Sequence, residues 1–416
     1  MKLIKEIIND LEDKFPVNKW KVDGIHVWPY IRIKIYIFLL QANKNDIEKK
    51  QNETYVKLFF QKQLFNFFLI PFRLIFAFFE ITQFFLKLKR KKILFFGSYF
   101  HKVKIKDEYF NRFFDSMVDF HGIKDEVYLI EFQKIYKKNY NQKAIIPLTK
   151  YLNHYKLIKK IIINFKSDNT NVFLEKYTDF LVELNNLNIN SVSLKLSKND
   201  IINWGGKIKN TKGFYSILYA LVKPEKIIML SYYGFDDLAA AMVVANDLNI
   251  KTIDFQHGPQ TNVHMAYSSW SNYPKTGFNT MPIEYWNWDE NSKRNIDLWA
   301  AHKTIVNSKI VGHPFLSYWK NNMVNEIVQN KRILYSLQLS TFEDLFTNKL
   351  IQTINNSKYG WTFRIHPRSG FNFYNLKMFL NDKITIDNYI IEDAINIPLP
   401  SSLSNSIIHV DRKSVV

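Results

Sequence analysis

From residue 93 onward, short apolar runs alternate with longer stretches of helical periodicity, and this alternation leaves few folds open. Segments 93–97, 127–130, 226–231, 251–255 and 309–311 read as buried strands. Segments 108–118 and 236–248, and the stretches around 145–165 and 171–187, read as helices. Strands joined through helices run parallel and need helices on both faces, which places the chain in the α/β class. A second series follows, with strands at 332–335, 361–364 and 406–410 and a helix at 343–355. Two Rossmann-like domains are therefore expected, at 93–319 and 332–416, joined by a polar linker at 320–331 and preceded by a helical segment at 1–92. The second series has 85 residues after Lys331, so that domain is expected to be incomplete at its C-terminus.

Composition removes whole classes of chemistry. Cysteine is absent, which excludes disulfide frameworks, zinc–cysteine sites, iron–sulfur clusters and thiol nucleophiles. The 12 glycines include no GxGxxG or GxxxxGK[ST] loop, against dinucleotide and P-loop chemistry. No GxSxG elbow and no His/Asp/Glu grouping with metal spacing occurs, so no metal is expected.

The net charge of +19 is unevenly placed. Residues 1–160 hold 31 Lys/Arg against 16 Asp/Glu, and the rest hold 26 against 22. Such an excess in one half suits a polyanionic partner. Segment 56–92 contains eleven Phe interrupted by Lys57, Lys62, Arg73, Glu80 and Lys87, and it ends in the cluster Lys87, Lys89, Arg90, Lys91, Lys92. Its uncharged run 63–72 is too short to span a bilayer, which takes about 20 apolar residues. A Phe-rich amphipathic helix beside a basic cluster fits in-plane binding to an anionic membrane surface; a core helix followed by a solvated charge run is the alternative. Residues 1–14 show no secretory h-region, and the protein is read as cytoplasmic. The basic half has no nucleic-acid motif, so no nucleic-acid partner is expected.

In open α/β sheets, ligands bind beyond the carboxyl ends of the strands. His257, His313 and His366 each follow an expected strand. In Gln256-His257-Gly258 the glycine permits close backbone approach, and a neutral imidazole suits removal of a proton from a hydroxyl. Arg364, His366 and Arg368 form a cationic line suited to the phosphates of a leaving nucleotide, and His313 joins them as a donor-binding candidate. His264 and Tyr267, with Trp288 and Glu290 further on, are groups that bind sugar hydroxyls or stack on sugar rings, although such aromatics also build cores. Asp236, at the start of an Ala-rich helix, suits either a helix cap or a general base.

The series Gln256-His257-Gly258, Val311-Gly312-His313-Pro314, Ile333-Leu334-Tyr335-Ser336, Phe363-Arg364-Ile365-His366-Pro367 and Ile408-His409-Val410 with Ser414 resembles bacterial surface-polysaccharide transferases of the two-Rossmann-domain (GT-B) type. Two branches are similar: capsule and lipopolysaccharide glycosyltransferases, and the CDP-glycerol glycerophosphotransferases of teichoic-acid synthesis. The resemblance implies a base at His257, a phosphate contact at His366 and a late serine contact at Ser414. It also implies a metal-independent glycosyltransferase. Such an enzyme uses a nucleotide-sugar donor as substrate, with no further cofactor, and a lipid-linked or surface polysaccharide acceptor, at the inner face of the plasma membrane. The alternatives are a glycerophosphotransferase and a catalytically dead membrane-associated scaffold of the same fold.

Overall fold

The computed structural model describes the chain except at residues 1–2, 43–62, 164–169, 187–193, 195, 234–235, 323–331, 338–340, 367–372, 395, 398, 400–401, 403–405, 407 and 412–416. The chain divides into two compact units. One comprises Met1–Gly97, Asp125–Ile130 and Ile146–Gly312, the other Ser98–Lys124, Glu131–Ile145 and His313–Val416.

The first unit opens with helices α1 (Ile4–Lys14) and α2 (Trp28–Ala42), separated by a hairpin of β1 (Lys21–Val22) and β2 (Ile25–His26). Asp23 and Gly24 turn this hairpin at positive φ of 49° and 77°, as a two-residue loop of the primed type requires. Pro29 sits in the first turn of α2, where its lack of an N–H costs nothing. Val172–Phe173 (β8) adds a third strand to the hairpin.

The main sheet has seven strands in the order β12-β11-β10-β9-β3-β6-β7. These are β3 (Ile93–Ser98), β6 (Val127–Phe132), β7 (Ile145–Pro147), β9 (Lys226–Met229), β10 (Lys251–Phe255), β11 (Glu284–Asn287) and β12 (Asn307–Ile310). Pairing from β3 through β12 is parallel throughout. Helices α5 (Leu148–Ile163), α7 (Lys198–Val222), α8 (Asp236–Asp247) and α9 (Glu290–Ala300) belong to the same unit. The 25-residue α7 has no clean period in the sequence, because three glycines and scattered Asn and Lys blur it. Ser197 and Asp200 start it with a reciprocal capping box. Its glycines serve close packing: a Cβ on Gly205 would lie 2.5 Å from Val22, and one on Gly213 would lie 2.3 Å from the Tyr155 hydroxyl of α5.

The second unit contains a four-stranded parallel sheet in the order β15-β14-β13-β16. Its strands are β13 (Arg332–Ser336), β14 (Gly360–Ile365), β15 (Tyr389–Asp393) and β16 (Ile408–Asp411). Ile333, Tyr335, Phe346, Trp361, Phe363 and Leu376 are part of its core. One sequence expectation is corrected here. Residues 108–118 are not one helix: β5 (Glu108–Asn111) pairs antiparallel with β4 (Lys102–Ile105), and α4 (Phe114–His121) begins only afterwards. Asn111 ends the strand by accepting the N–H groups of Phe113 and Phe114 on its side-chain oxygen, at 3.1 and 3.0 Å. Val103 and Phe110 pack with Phe315 and Trp319 of α10 (Pro314–Asn322).

Helix α3 (Gln63–Lys87) belongs to the first unit and is two-faced. Ala77, Ile81 and Phe84 are buried, and Phe84 stacks on Tyr151 of α5 at 4.0 Å. Phe72, Ile75, Phe76 and Phe79 are more than half exposed. No helix among the described residues is long and apolar enough to cross a membrane.

An ion pair fixes the N-terminal helices. Glu12 of α1 and Arg32 of α2 are fully buried and meet at 2.7 Å. The second carboxylate oxygen of Glu12 accepts from the Ser271 N–H at 2.8 Å, and Trp28 donates to the first, also at 2.8 Å. Arg32 donates onward to the carbonyls of Ser268 and Ser269 and lies 4.0 Å above the Trp270 ring. Removing one partner of such a pair strands the other charge. Glu12→Ala is therefore expected to cost about 3–5 kcal/mol, read as a lower urea midpoint. The Glu12→Gln, Arg32→Met double variant is expected to lose much less, and equal losses would show that charge pairing is not what these residues supply.

Candidate active site

The carboxyl ends of β9 and β10 lie side by side, because the two strands pair in parallel with Asp254 opposite Met229. Beyond β9 the chain turns through Ser231, at a positive φ of 71°, into Tyr232 and Tyr233. Asp254 holds this turn. One of its oxygens accepts the Tyr232 N–H at 2.7 Å, and the other accepts the Tyr267 hydroxyl at 3.3 Å. Complete burial pushes this carboxyl up to about 8, and the two hydrogen bonds only partly offset that. Asp254 is therefore protonated at neutral pH and acts as a neutral tie between strand and loop.

Around it the sequence-predicted residues His264 and Tyr267 come together, with ring centroids 5.0 Å apart. His264 accepts the Ala266 N–H on Nδ1 at 3.3 Å, which leaves its Nε2 hydrogen for the Tyr233 hydroxyl oxygen at 3.2 Å. Tyr267 is buried and belongs to the core, whereas His264 is half-buried. The ring of Tyr36 of α2 lies 5.5 Å from the imidazole, centroid to centroid.

Next to this cluster lies a cavity of about 180 Å³, lined among others by Tyr30, Lys34, Trp204, Tyr232, Tyr233 and Asp236. Tyr30 and Trp204 stack at 4.1 Å, giving a flat aromatic wall. The Trp204 indole N–H donates to the Asp236 carboxylate at 3.2 Å and so aims it. Asp236 is the first residue of α8, so its charge also sits favourably at the positive end of the helix. Tyr30 and Trp204 went unnamed in the sequence. They lie 174 positions apart (204 − 30), and only packing makes them a pair.

A second group follows β10. His257 and Gly258 are half-buried, and a Cβ placed on Gly258 would meet nothing within 4 Å, so the backbone there faces open space. The loop is set by Gln256, buried and also absent from the sequence candidates. Its amide donates to the Gly258 carbonyl and to the Ser292 hydroxyl at 3.0 and 3.1 Å, and its oxygen accepts the Trp288 N–H at 2.7 Å. His257, Gly258 and Trp288 are thus held together by one side chain. Asp289 caps α9 through the Ser292 N–H at 2.8 Å, which leaves Glu290 exposed in the first helical turn. A buried amide directly after an apolar strand was the available signal for Gln256.

The remaining candidates belong to the second unit. Arg364 turns inward: its guanidinium donates to the Ser402 hydroxyl at 2.8 Å and to the carbonyls of Ile397 and Ala394 at 2.6 and 3.3 Å, with Glu392 at 3.5 Å. This corrects its expected role as an open cation, because those donors tie Glu392, Ala394, Ile397 and Ser402 to β14. His313 is likewise not a cation. Burial, with Arg112 nearby, lowers it to about 4, and its Nδ1 accepts the Leu316 N–H at 3.4 Å at the start of α10. His366 is half-buried just past β14. Arg368 and Ser414 lie outside the described residues. Among the described residues, no group of three or more His, Asp or Glu gathers as for a metal.

Asp254 carries a pH signature. Its folded-state value lies above the unfolded value of about 3.9, so between about pH 4 and about pH 8 unfolding releases a proton. Stability from this group is fully present below that window and falls as pH rises through it, with a slope of at most about 1.4 kcal/mol per pH unit. Asp254→Asn is expected to flatten the decline in urea stability between pH 5 and pH 8; an unaltered decline would exclude Asp254 as its source.

No family model matches the chain, and no curated protein matches it. Among solved structures the fold is similar to MurG of Acinetobacter baumannii, at 9% identity and a TM-score of 0.33, over 77% of this chain and 71% of that one. It is also similar to a UDP-glucosyltransferase from Polygonum tinctorium capable of glucosylating indoxyl, at 10% identity and a TM-score of 0.34, over 78% of this chain and 76% of that one.

Proposed function

We propose that the protein is a glycosyltransferase of GT-B architecture that moves a sugar from a nucleotide-sugar donor to a lipid-linked or surface polysaccharide acceptor. The observation that carries this reading is the carboxyl edge of the seven-stranded sheet. There, one unit holds a half-buried histidine beside a glycine whose backbone faces open space, and an aromatic-walled cavity ending on an aimed carboxylate. Stacked aromatics beside a carboxylate suit a sugar ring and its hydroxyls. In the proposed reaction His257 takes the proton of the acceptor hydroxyl. The freed oxygen bonds to the anomeric carbon of the donor sugar, and the bond from that carbon to the nucleotide phosphate breaks. The leaving phosphate takes up the electron pair; His366, Arg368 and Ser414 are the proposed contacts of the donor phosphate. Arg364 is proposed to act through Glu392, Ala394, Ile397 and Ser402 as a positioning residue. No metal is assigned a step.

The exposed Phe72, Ile75, Phe76 and Phe79, with Lys87, Lys89, Arg90 and Lys92 just beyond, support a peripheral position on the anionic inner face of a membrane.

The test is transfer from a panel of UDP-, GDP- and CMP-sugars and CDP-glycerol to glycolipid acceptors. His257→Ala is expected to lower kcat by about 10²–10⁴, with Asp236→Asn costing less than about tenfold. The reverse order would move the base to Asp236. Turnover of CDP-glycerol alone would replace this reading with the glycerophosphotransferase, and membrane binding without turnover of any donor would replace it with the scaffold.

A further inference from the structure

Beside the aromatic cavity, and sharing Asp236 with it, lies a second groove of about 490 Å³. Its lining includes Lys156, Lys159 and Lys160 of α5, Lys207 of α7, and Asp237. The three α5 lysines are spaced i, i+3, i+4 and so lie on one face of the helix. Lys156 is matched by Asp237, whose two oxygens it meets at 2.6 and 2.9 Å. Lys159, Lys160 and Lys207 have no carboxylate partner among the described residues. Like charges crowded on one helix face repel, and an anion in the groove removes that cost. α5 is also the helix on which α3 is packed, through Phe84 on Tyr151 and the Glu80–Lys150 ion pair. The exposed phenylalanines of α3 therefore belong to the same helical layer as the lysine groove.

We propose that this groove binds the phosphate or diphosphate that joins an acceptor's sugar to its lipid. The inference rests on the reading that the acceptor is lipid-linked, and it adds where the link is held. The order of surfaces matches the order of parts in such a molecule: an apolar face on α3 for the chain, lysines for the phosphates, and the Tyr30–Trp204 wall with Asp236 for the sugar. A free nucleotide has no use for the α3 face, and a bulk anionic leaflet has no use for an aromatic cavity behind the lysines.

The test uses the full chain and vesicle flotation without donor or turnover, so it is read separately from transferase activity. Phosphatidylcholine vesicles doped with a long-chain prenyl diphosphate are compared with phosphatidylglycerol vesicles of equal surface charge. Wild type is expected to prefer the diphosphate vesicles. The Lys159→Gln, Lys207→Gln double variant is expected to bind them about 30-fold more weakly, a larger loss than it shows on phosphatidylglycerol. Circular dichroism of the variant checks that it is folded, and a Lys159→Arg, Lys207→Arg variant is expected to retain binding. Equal binding of both vesicle types by wild type, or undiminished diphosphate binding by the Gln variant, would overturn the proposal. So would inorganic pyrophosphate binding as tightly as the lipid, which would make the groove a site for free phosphate.

Discussion

The wall of the candidate active site depends on the buried contact between Glu12 and Arg32. Taking two charges out of water is expensive, and the molecule offsets that cost by giving both Glu12 oxygens and the Nε and Nη2 of Arg32 hydrogen-bond partners. Those partners are drawn from distant parts of the chain: Trp28, Ser271, and the carbonyls of Ser268 and Ser269. The pair thereby ties α1, α2 and the 268–271 loop into one body. α2 in turn carries Tyr30, Lys34 and Tyr36, which form one side of the aromatic cavity and the ring facing His264. Without a fixed α2, the Tyr30–Trp204 stack would have only one of its two partners in place.

The same device recurs at the strand ends. Asp254, Gln256 and Arg364 are all buried and polar, and each spends its hydrogen-bonding groups on loop backbone or neighbouring side chains. A loop past a strand has no ladder to hold it, and its unpaired N–H and C=O groups need partners. Supplying those partners from a buried side chain gives the loop one conformation. Asp254, Gln256 and Arg364 are thus inward polar groups that position loops, whereas Asp236 and Glu290 are exposed.

The alternation of apolar strands and helices was legible because parallel sheets buried on both faces must be built from such runs. The strands at Ile93–Ser98 and Lys251–Phe255 and the helix at Asp236–Asp247 stand where their patterns placed them. Legibility failed where two patterns compete. Residues 102–111 alternate like a hairpin yet sit among helix-forming residues, and strand pairing between β4 and β5 decided the outcome. α7 carries a helical face diluted by glycines whose value lies in contacts with Val22 and Tyr155, which no local pattern contains.

At the site, the sequence by itself determined which residue types follow the strands: His257 and Gly258 after β10, His366 after β14, Asp236 at the head of α8. Side-chain type and strand order are local properties, and the rule that ligands bind beyond carboxyl ends is general. Only the tertiary structure decided what those residues could do. It turned Arg364 and His313 inward into structural contacts, raised Gln256 to the organiser of the His257 loop, and brought Tyr30 beside Trp204 and Asp236. The physical reason is range. Burial and hydrogen-bond partners set the charge and direction of a side chain, and those partners come from segments far away in the sequence.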